Sequence, residues 1–422
     1  MMDEISRITK FLLRDVRGKK QLMIGAAGLM IALSLFLFNF FILVNQLEPK
    51  FFYFYASAKL FFFDGLDVYG ANFIPQIQAF ADQINLGLIL RETSFSLPAF
   101  ALYIFYPFTL IANFPFAQAL WITFNQILII VIFILLLRLL DWKMGLSMFW
   151  IQAAIAILFF SNWFNVLDQN ISLVQSGFFI TSMYFYNKEK SILSGIFLGL
   201  CLINPFYFLA PVIIFILILI KKHETSALFW IFITVTFLIL SSLIFNPNWI
   251  IPYLKSLIAN PSIFPFKSSS ENLAEMLNLA NNNFLNVVPW FALVWMGVEW
   301  LRTPCYQYLQ QFWMISLAVI LGQFITVQPN PVNSVLLFSV YIFILFLWID
   351  RTEKIGNILI YLLGITLSLG VLVIKYIISK SLFSLEYFQI INIAISVFLL
   401  VNLYWIRGWA MSHYSLDNFV NR

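Results

Sequence analysis

The run LMIGAAGLMIALSLFLFNFFILV, Leu22–Val44, holds no charged side chain. As a helix rising about 1.5 Å per residue, it covers the roughly 30 Å of a bilayer's hydrocarbon core. Before it stand Arg7, Lys10, Arg14, Arg17, Lys19 and Lys20 against Asp3, Glu4 and Asp15. A secretory signal has a shorter apolar region and a small-residue cleavage site after it, and neither is evident here. The segment reads as an uncleaved first helix behind a basic cytoplasmic N-terminus, residues 1–21.

Working outward, the pattern repeats. The chain is 62% hydrophobic and 10% charged, whereas a soluble domain is roughly 45–50% apolar and about 25% charged. Further apolar runs lie near 97–113, 117–138, 145–160, 170–186, 191–220, 225–245, 286–301, 306–327, 332–349, 356–378 and 386–406. The short alternating segments of a membrane barrel are absent. The expected fold class is an all-α polytopic membrane protein with about 12 (11–13) transmembrane helices. Two long exterior loops carry helices lying at the interface, the first of them over 51–63 and 73–90. Residues 22–245 form one membrane module that includes the exterior loop 45–96. A second exterior loop follows at 246–285, then C-terminal helices at 286–406 and a tail at 407–422.

The side occupied by each loop depends on 191–220, which Asn204-Pro205 and Pro211 interrupt. If it is one broken element and every run crosses once, Arg138, Lys143, Lys188 and Lys190 fall outside, against the positive-inside tendency. If it is a hairpin and 97–113 dips without crossing, Lys188, Lys190, Lys221 and Lys222 share the cytoplasmic side. The first register is the one preferred. The net charge of +5 is then a matter of topology and does not point to nucleic acid. Cys201 and Cys305 suggest no disulfide framework, and the distant His223 and His413 suggest no metal centre.

Chemistry is sought where polar groups persist beside apolar ones. In KFFYFYASAKLFFFDGLDVYG, Lys50–Gly70, Tyr53 and Tyr55 precede Ala56-Ser57-Ala58, small residues that permit close packing. Gly65 breaks the helix, and Asp67 and Tyr69 follow. A carboxylate delivered to the membrane surface can act as general base on a hydroxyl or bind a metal. A capped helix with solvated acids explains the same letters without chemistry. Asp168-Gln169-Asn170 separates two apolar runs, as a loop with a helix cap or as the polar rim of a cavity. At Asn204-Pro205 the freed carbonyls need a neighbour, water or a cavity.

These segments, in this order, resemble glycosyltransferase family 87, membrane enzymes of the GT-C class that use polyprenyl-phosphate sugars. KFFYFYASA and GLDVY stand where the family has D-F-x-x-Y-Y-x-A-A and G-x-D-P-Y. FSLPAFALYIFYPFTLIANFP resembles its second helix, and DQNISLV its G-Q-x-N segment. SGIFLGLCLINPFYFLAPVIIFILILIKK resembles the small-residue helix ending in K-P-x-P, and NPNWIIPYLKSL the loop after it. The resemblance covers about 20–285, and the last five runs match in character only. It implies a hexose, mannose-like, passed with inversion from a polyprenyl-phosphate donor to an acceptor on the exterior face of a prokaryotic plasma membrane. An acid of the first exterior loop would take the acceptor's proton. Departures from the pattern fall at Lys50 for the leading Asp, Val68 for Pro, Asp168 for Gly and Asn204 for the lysine of K-P.

The residues assigned on this reading are Asp67 and Glu48 as acids and Lys50 at the donor phosphate. Tyr53, Tyr55, Tyr69, Gln169, Asn170 and Asn204 line the cavity. No cofactor is called for, and a divalent metal is left open. Two other functions compete. One is a catalytically degenerate relative serving as a structural subunit of a membrane complex. The other is a transporter of a lipid-linked substrate, which shares the broken helices.

Overall fold

A computed structural model describes residues 28–44, 51–70, 72–84, 86, 95, 97–204, 208–259, 287–325, 334–370 and 385–411, with backbone alone for 257–259, 350–361, 369–370 and 385–390. Glu48 and Lys50 lie outside the described residues. The protein is an all-α membrane protein, and no strand occurs among the described residues. Phe114–Leu139, Thr225–Phe245 and Tyr308–Ile325 are each long and apolar enough to cross a membrane. Leu146–Leu158 and Phe160–Asp168 meet the same measure only when taken together, as a pair bent by 49° that forms a broken span or a re-entrant loop.

The first helix, α1 (Gly28–Leu43), ends in a π turn over Asn39–Leu43. Asn39 is buried, and its amide donates to Thr123 Oγ1 at 2.9 Å and Gln126 Oε1 at 2.8 Å. After it come α2 (Phe51–Phe63) and α3 (Phe73–Gln83), close to the bounds read from the sequence. Rather than lying on a surface, α2 buries Phe51, Phe52, Tyr55, Ala56, Ser57, Ala58, Leu60 and Phe61 in an aromatic core.

The run at 97–113 does not form a spanning helix. A six-residue 3-10 helix, Ala99–Ile104, and a single turn, α4 (Tyr106–Thr109), replace it. Neither approaches the roughly 20 residues a span needs. The long helix α5 (Phe114–Leu139) then starts at Asn113, whose Oδ1 accepts from Phe116 N at 3.0 Å. Pro115 sits in its first turn, where a missing N–H is harmless.

The bent pair α6 (Leu146–Leu158) and α7 (Phe160–Asp168) leads to α8 (Ser172–Asn187), α9 (Ser191–Cys201), α10 (Leu209–Lys221) and α11 (Thr225–Phe245). Here the preferred register fails. Ser191 Oγ donates to Glu224 Oε2 at 2.7 Å, so the start of α9 lies level with the end of α10. The segment 191–220 is therefore a hairpin, and α9 and α10 are its two arms. Helices α8 and α9 are antiparallel: Ser182 Oγ donates to Ser194 O at 2.7 Å, and Gln175 Nε2 to Cys201 O at 2.9 Å and Asn204 O at 2.8 Å. Gln175 thus supplies the donor that the carbonyls freed at Asn204-Pro205 require.

Helix α11 runs parallel to α9 and very close to it. A Cβ on Gly195 would come 2.3 Å from Ala227 O, and one on Gly199 would come 2.7 Å from Thr234 Cβ. This is the small-xxx-small contact that lets membrane helices meet backbone to backbone. Beyond α12 (Ile250–Ala259) come α13 (Val288–Arg302), α14 (Tyr308–Ile325), α15 (Leu337–Ile365), α16 (Leu385–Trp405) and the short α17 (Arg407–Met411). In α15 a Cβ on Gly364 would come 2.5 Å from Tyr341 Oη. A straight helix would hold the two roughly 35 Å apart at about 1.5 Å per residue. The element doubles back, and so one helical stretch appears in the sequence as two apolar runs around Asp350, Arg351, Glu353 and Lys354.

The bundle has two distinct ends. Arg138, Lys143, Lys188, Lys190, Lys221, Lys222 and Arg302 gather at one, where α5, α8, α10 and α13 finish. There Lys221 Nζ donates to Thr303 O at 3.2 Å and Lys222 Nζ to Tyr306 O at 3.0 Å. At the other end lie Asp67, the 3-10 helix, Gln169, Asn204 and the segment after α11.

Candidate active site

The segment carrying Asp67 is shaped by the end of α2. Gly65 has φ +64°, and Leu66 N donates back to Leu60 O at 3.1 Å. A helix closed in this way wants a residue without Cβ. Asp67 follows in an exposed turn, and its Oδ1 accepts from Tyr69 N at 3.1 Å. The same oxygen accepts from Asn246 Nδ2 at 3.0 Å. Asn246 is the first residue beyond α11, and its Oδ1 accepts from Asn248 N at 3.1 Å. An amide from NPNW thus holds the carboxylate of GLDVY across 179 positions of sequence. Both donors converge on Oδ1. Among the described residues Oδ2 has no hydrogen-bond donor, so it keeps lone pairs for an incoming proton.

Aromatic rings wall this point. Tyr69 lies 6.4 Å from Trp249, 5.7 Å from Tyr253 and 6.0 Å from Phe95 between centroids. Tyr53 reaches the same Phe95 at 6.1 Å. Tyr69 Oη donates to Leu97 O at 2.6 Å, and Tyr55 Oη to Ile111 O at 2.7 Å. Burial holds the Tyr69 phenol well above its ordinary value, with Tyr253, Asp67 and Tyr53 adding to the shift. Burial raises Tyr253 as well. Neither phenol is an anion near neutrality, which leaves the Asp67 carboxylate as the group at this point able to accept a proton.

Gln169 has a different position. It is fully buried in the left-handed conformation, φ 55°. Its Oε1 accepts from Phe51 N at 3.1 Å and Gln118 Nε2 at 3.0 Å, while its carbonyl accepts from Trp121 Nε1 at 2.9 Å. The first N–H groups of a helix have no partner within it, and Gln169 supplies one for α2 from 118 residues away. Asn170 is buried beside it, its Oδ1 turned to Ile171 N at 2.6 Å. Asn204 is buried at the top of the hairpin. The structure therefore brings Asp67, Tyr69 and Tyr53 together, and sets Gln169, Asn170 and Asn204 in the framework beneath.

Sequence reasoning missed Asn246 and Trp249. The signal was present as Asn-Pro-Asn-Trp directly after a spanning run, but nothing in the pattern said which loop it would meet. Among the described residues, no three His, Cys, Asp or Glu side chains converge as a metal site.

No curated protein and no solved structure matches the chain. A family model, glycosyltransferase family 87, matches residues 95–374, more than half of the 422. The match starts beyond Asp67 and continues past residue 285, where the resemblance read from the sequence fades. The chain belongs to glycosyltransferase family 87.

Proposed function

We propose that the protein transfers a hexose, mannose-like, from a polyprenyl-phosphate donor to an acceptor hydroxyl at the end of the bundle that carries Asp67. The observation that carries this reading is the Asp67–Asn246 hydrogen bond. It ties the acid of the first long loop to the second long loop beside an aromatic wall. Asp67 Oδ2 takes the acceptor's proton as that oxygen attacks the anomeric carbon. The bond from that carbon to the phosphate oxygen breaks, polyprenyl phosphate leaves with the electron pair, and the centre inverts. Glu48 and Lys50 belong to the same loop, with Lys50 facing the donor phosphate. Tyr53, Tyr55 and Tyr69 shape the pocket, and Gln169, Asn170 and Asn204 support it.

The basic end supports the orientation. Its lysines and arginines gather on one side of the bundle, the arrangement expected of a cytoplasmic face. The Asp67 end then faces the exterior of a plasma membrane. The experiment is transfer from polyprenyl phosphomannose in proteoliposomes. Asp67→Asn is expected to lower turnover by about 10²–10⁴-fold, the usual weight of a general base. Full activity in Asp67→Asn, Glu48→Gln and the double variant refutes the assignment. A wild-type chain that is inert alone but copurifies with a membrane complex favours the structural-subunit reading, which the replacements at Lys50 and Asn204 motivate.

A further inference from the structure

Trp249 stands apart from the other tryptophans of the bundle. An indole carries one donor and no acceptor. Trp121 donates to Gln169 O at 2.9 Å, Trp313 to Leu403 O at 3.0 Å and Trp295 to Tyr404 Oη at 2.6 Å. Trp249 is 3% exposed, yet among the described residues its buried Nε1 has no hydrogen-bond partner. A buried donor without an acceptor is disfavoured unless something in the working protein supplies one.

Its position narrows what that acceptor is. Trp249 is three residues past Asn246, the residue that holds Asp67. Its ring lies nearly parallel to Tyr69, at 25°, and edge-on to Phe100 at 5.8 Å. One 3-10 turn after Phe100, on the same face, Tyr103 carries a second buried hydroxyl without a partner among the described residues. Its ring lies 6.3 Å from Phe245, the residue before Asn246, so a second such donor sits near the first, whereas Tyr55 and Tyr69 have backbone acceptors. An aromatic wall with inward N–H and O–H groups suits a sugar ring, whose C–H face packs on arenes while its oxygens accept hydrogen bonds.

We infer that Trp249 is a specificity-determining residue that donates its indole N–H to an oxygen of the sugar-bearing lipid donor. Binding displaces part of the cover formed by Tyr69 and Tyr253. This inference rests on the proposed transferase reading.

The test is equilibrium binding to the full chain in nanodiscs, with polyprenyl phosphomannose and sugar-free polyprenyl phosphate as probes. Trp249→Phe keeps an arene and removes the N–H, and the thermal midpoint of the unliganded variant is measured beside it to show that the smaller ring is accommodated. Loss of about tenfold in affinity for the mannosyl lipid alone places the acceptor on the sugar. An equal loss for both lipids places it on the phosphate. Unchanged affinity for both overturns the inference while leaving the transferase reading intact. A wild-type chain that binds neither lipid overturns both. Tyr103→Phe repeats the measurement at the second donor, where a smaller loss in the same direction is expected.

Discussion

The two ends of the bundle use polar groups in opposite ways. At the basic end, charges fasten helices together. Arg407 Nη2 meets the buried Glu299 Oε2 at 2.9 Å, and the guanidinium lies 5.3 Å from the Trp313 ring centre. Lys221 caps the carbonyl of Thr303, and Glu224 accepts from Ser191. At the other end, neutral donors hold an exposed carboxylate and leave one of its oxygens unclaimed among the described residues. A pair that neutralises itself is a fastening. A carboxylate positioned by an amide keeps its capacity to take a proton. The difference separates the residues that hold the bundle from those free to do chemistry on it.

The sharpest break in that comparison comes from Glu299. Glu299→Ala strips the acceptor from Arg407, whose side chain is 34% exposed, and should cost about 2–3 kcal/mol, the upper range for a hydrogen bond to a charged group. A large fall in the thermal midpoint in detergent is expected, while protein that stays folded transfers sugar at the wild-type rate. Lost turnover at unchanged stability would move Glu299 out of the fastening role.

Gly195→Ala probes the α9–α11 contact that lifts Asn246 to Asp67. The new methyl meets a backbone carbonyl, not the end of a flexible side chain, so the helices themselves must part. The expected cost is about 1–3 kcal/mol, as for other overpacked sites. Stability and turnover should fall together, because the position of Asn246 depends on α11.

Asn246→Ala separates positioning from folding at the open end. Asp67 keeps its turn bond to Tyr69 N and loses the cross-loop donor. Turnover should fall about tenfold, near the worth of one hydrogen bond to a charged group, with the thermal midpoint little changed. Asn246→Asp sets two carboxylates face to face and raises the proton affinity of the pair, so the acid limb of the pH–rate profile should move upward. A purely structural Asn246 would leave that limb in place.

The legible parts of the molecule were those governed by local pattern. Phe51–Phe63, Phe73–Gln83 and Thr225–Phe245 could be read because apolar runs and a closing Gly65 mark them in sequence. The 97–113 run misled because hydropathy does not distinguish six residues of 3-10 helix buried among arenes from a span. The hairpin at 191–220 stood as the second of two registers, since Pro205 and Pro211 fit a kink as well as a turn. Ser191 against Glu224 decides between them. The partnership of Asp67 and Asn246 is a tertiary fact with no local signature. Gln169 drew notice as a polar residue between apolar runs, but its role as a cap on a helix 118 residues earlier belongs to packing.

The smallest expected effect tests whether the carboxylate acts alone. Burial, then Tyr253, Asp67 and Tyr53, hold the Tyr69 phenol above its ordinary 10.0. A folded value raised above the unfolded one means that the neutral phenol's contribution to stability is complete below the unfolded value. It is lost only as pH rises through the higher folded value. Between about pH 6 and 9 Tyr69 therefore stays protonated. Tyr69→Phe should give a pH–rate profile of the same shape as wild type, lowered at most by the lost bond to Leu97 O, worth about 1 kcal/mol. A profile whose alkaline limb disappears in Tyr69→Phe would show the phenol titrating in turnover. The proton would then pass through the aromatic wall, and Asp67 would no longer be the sole base at the open end.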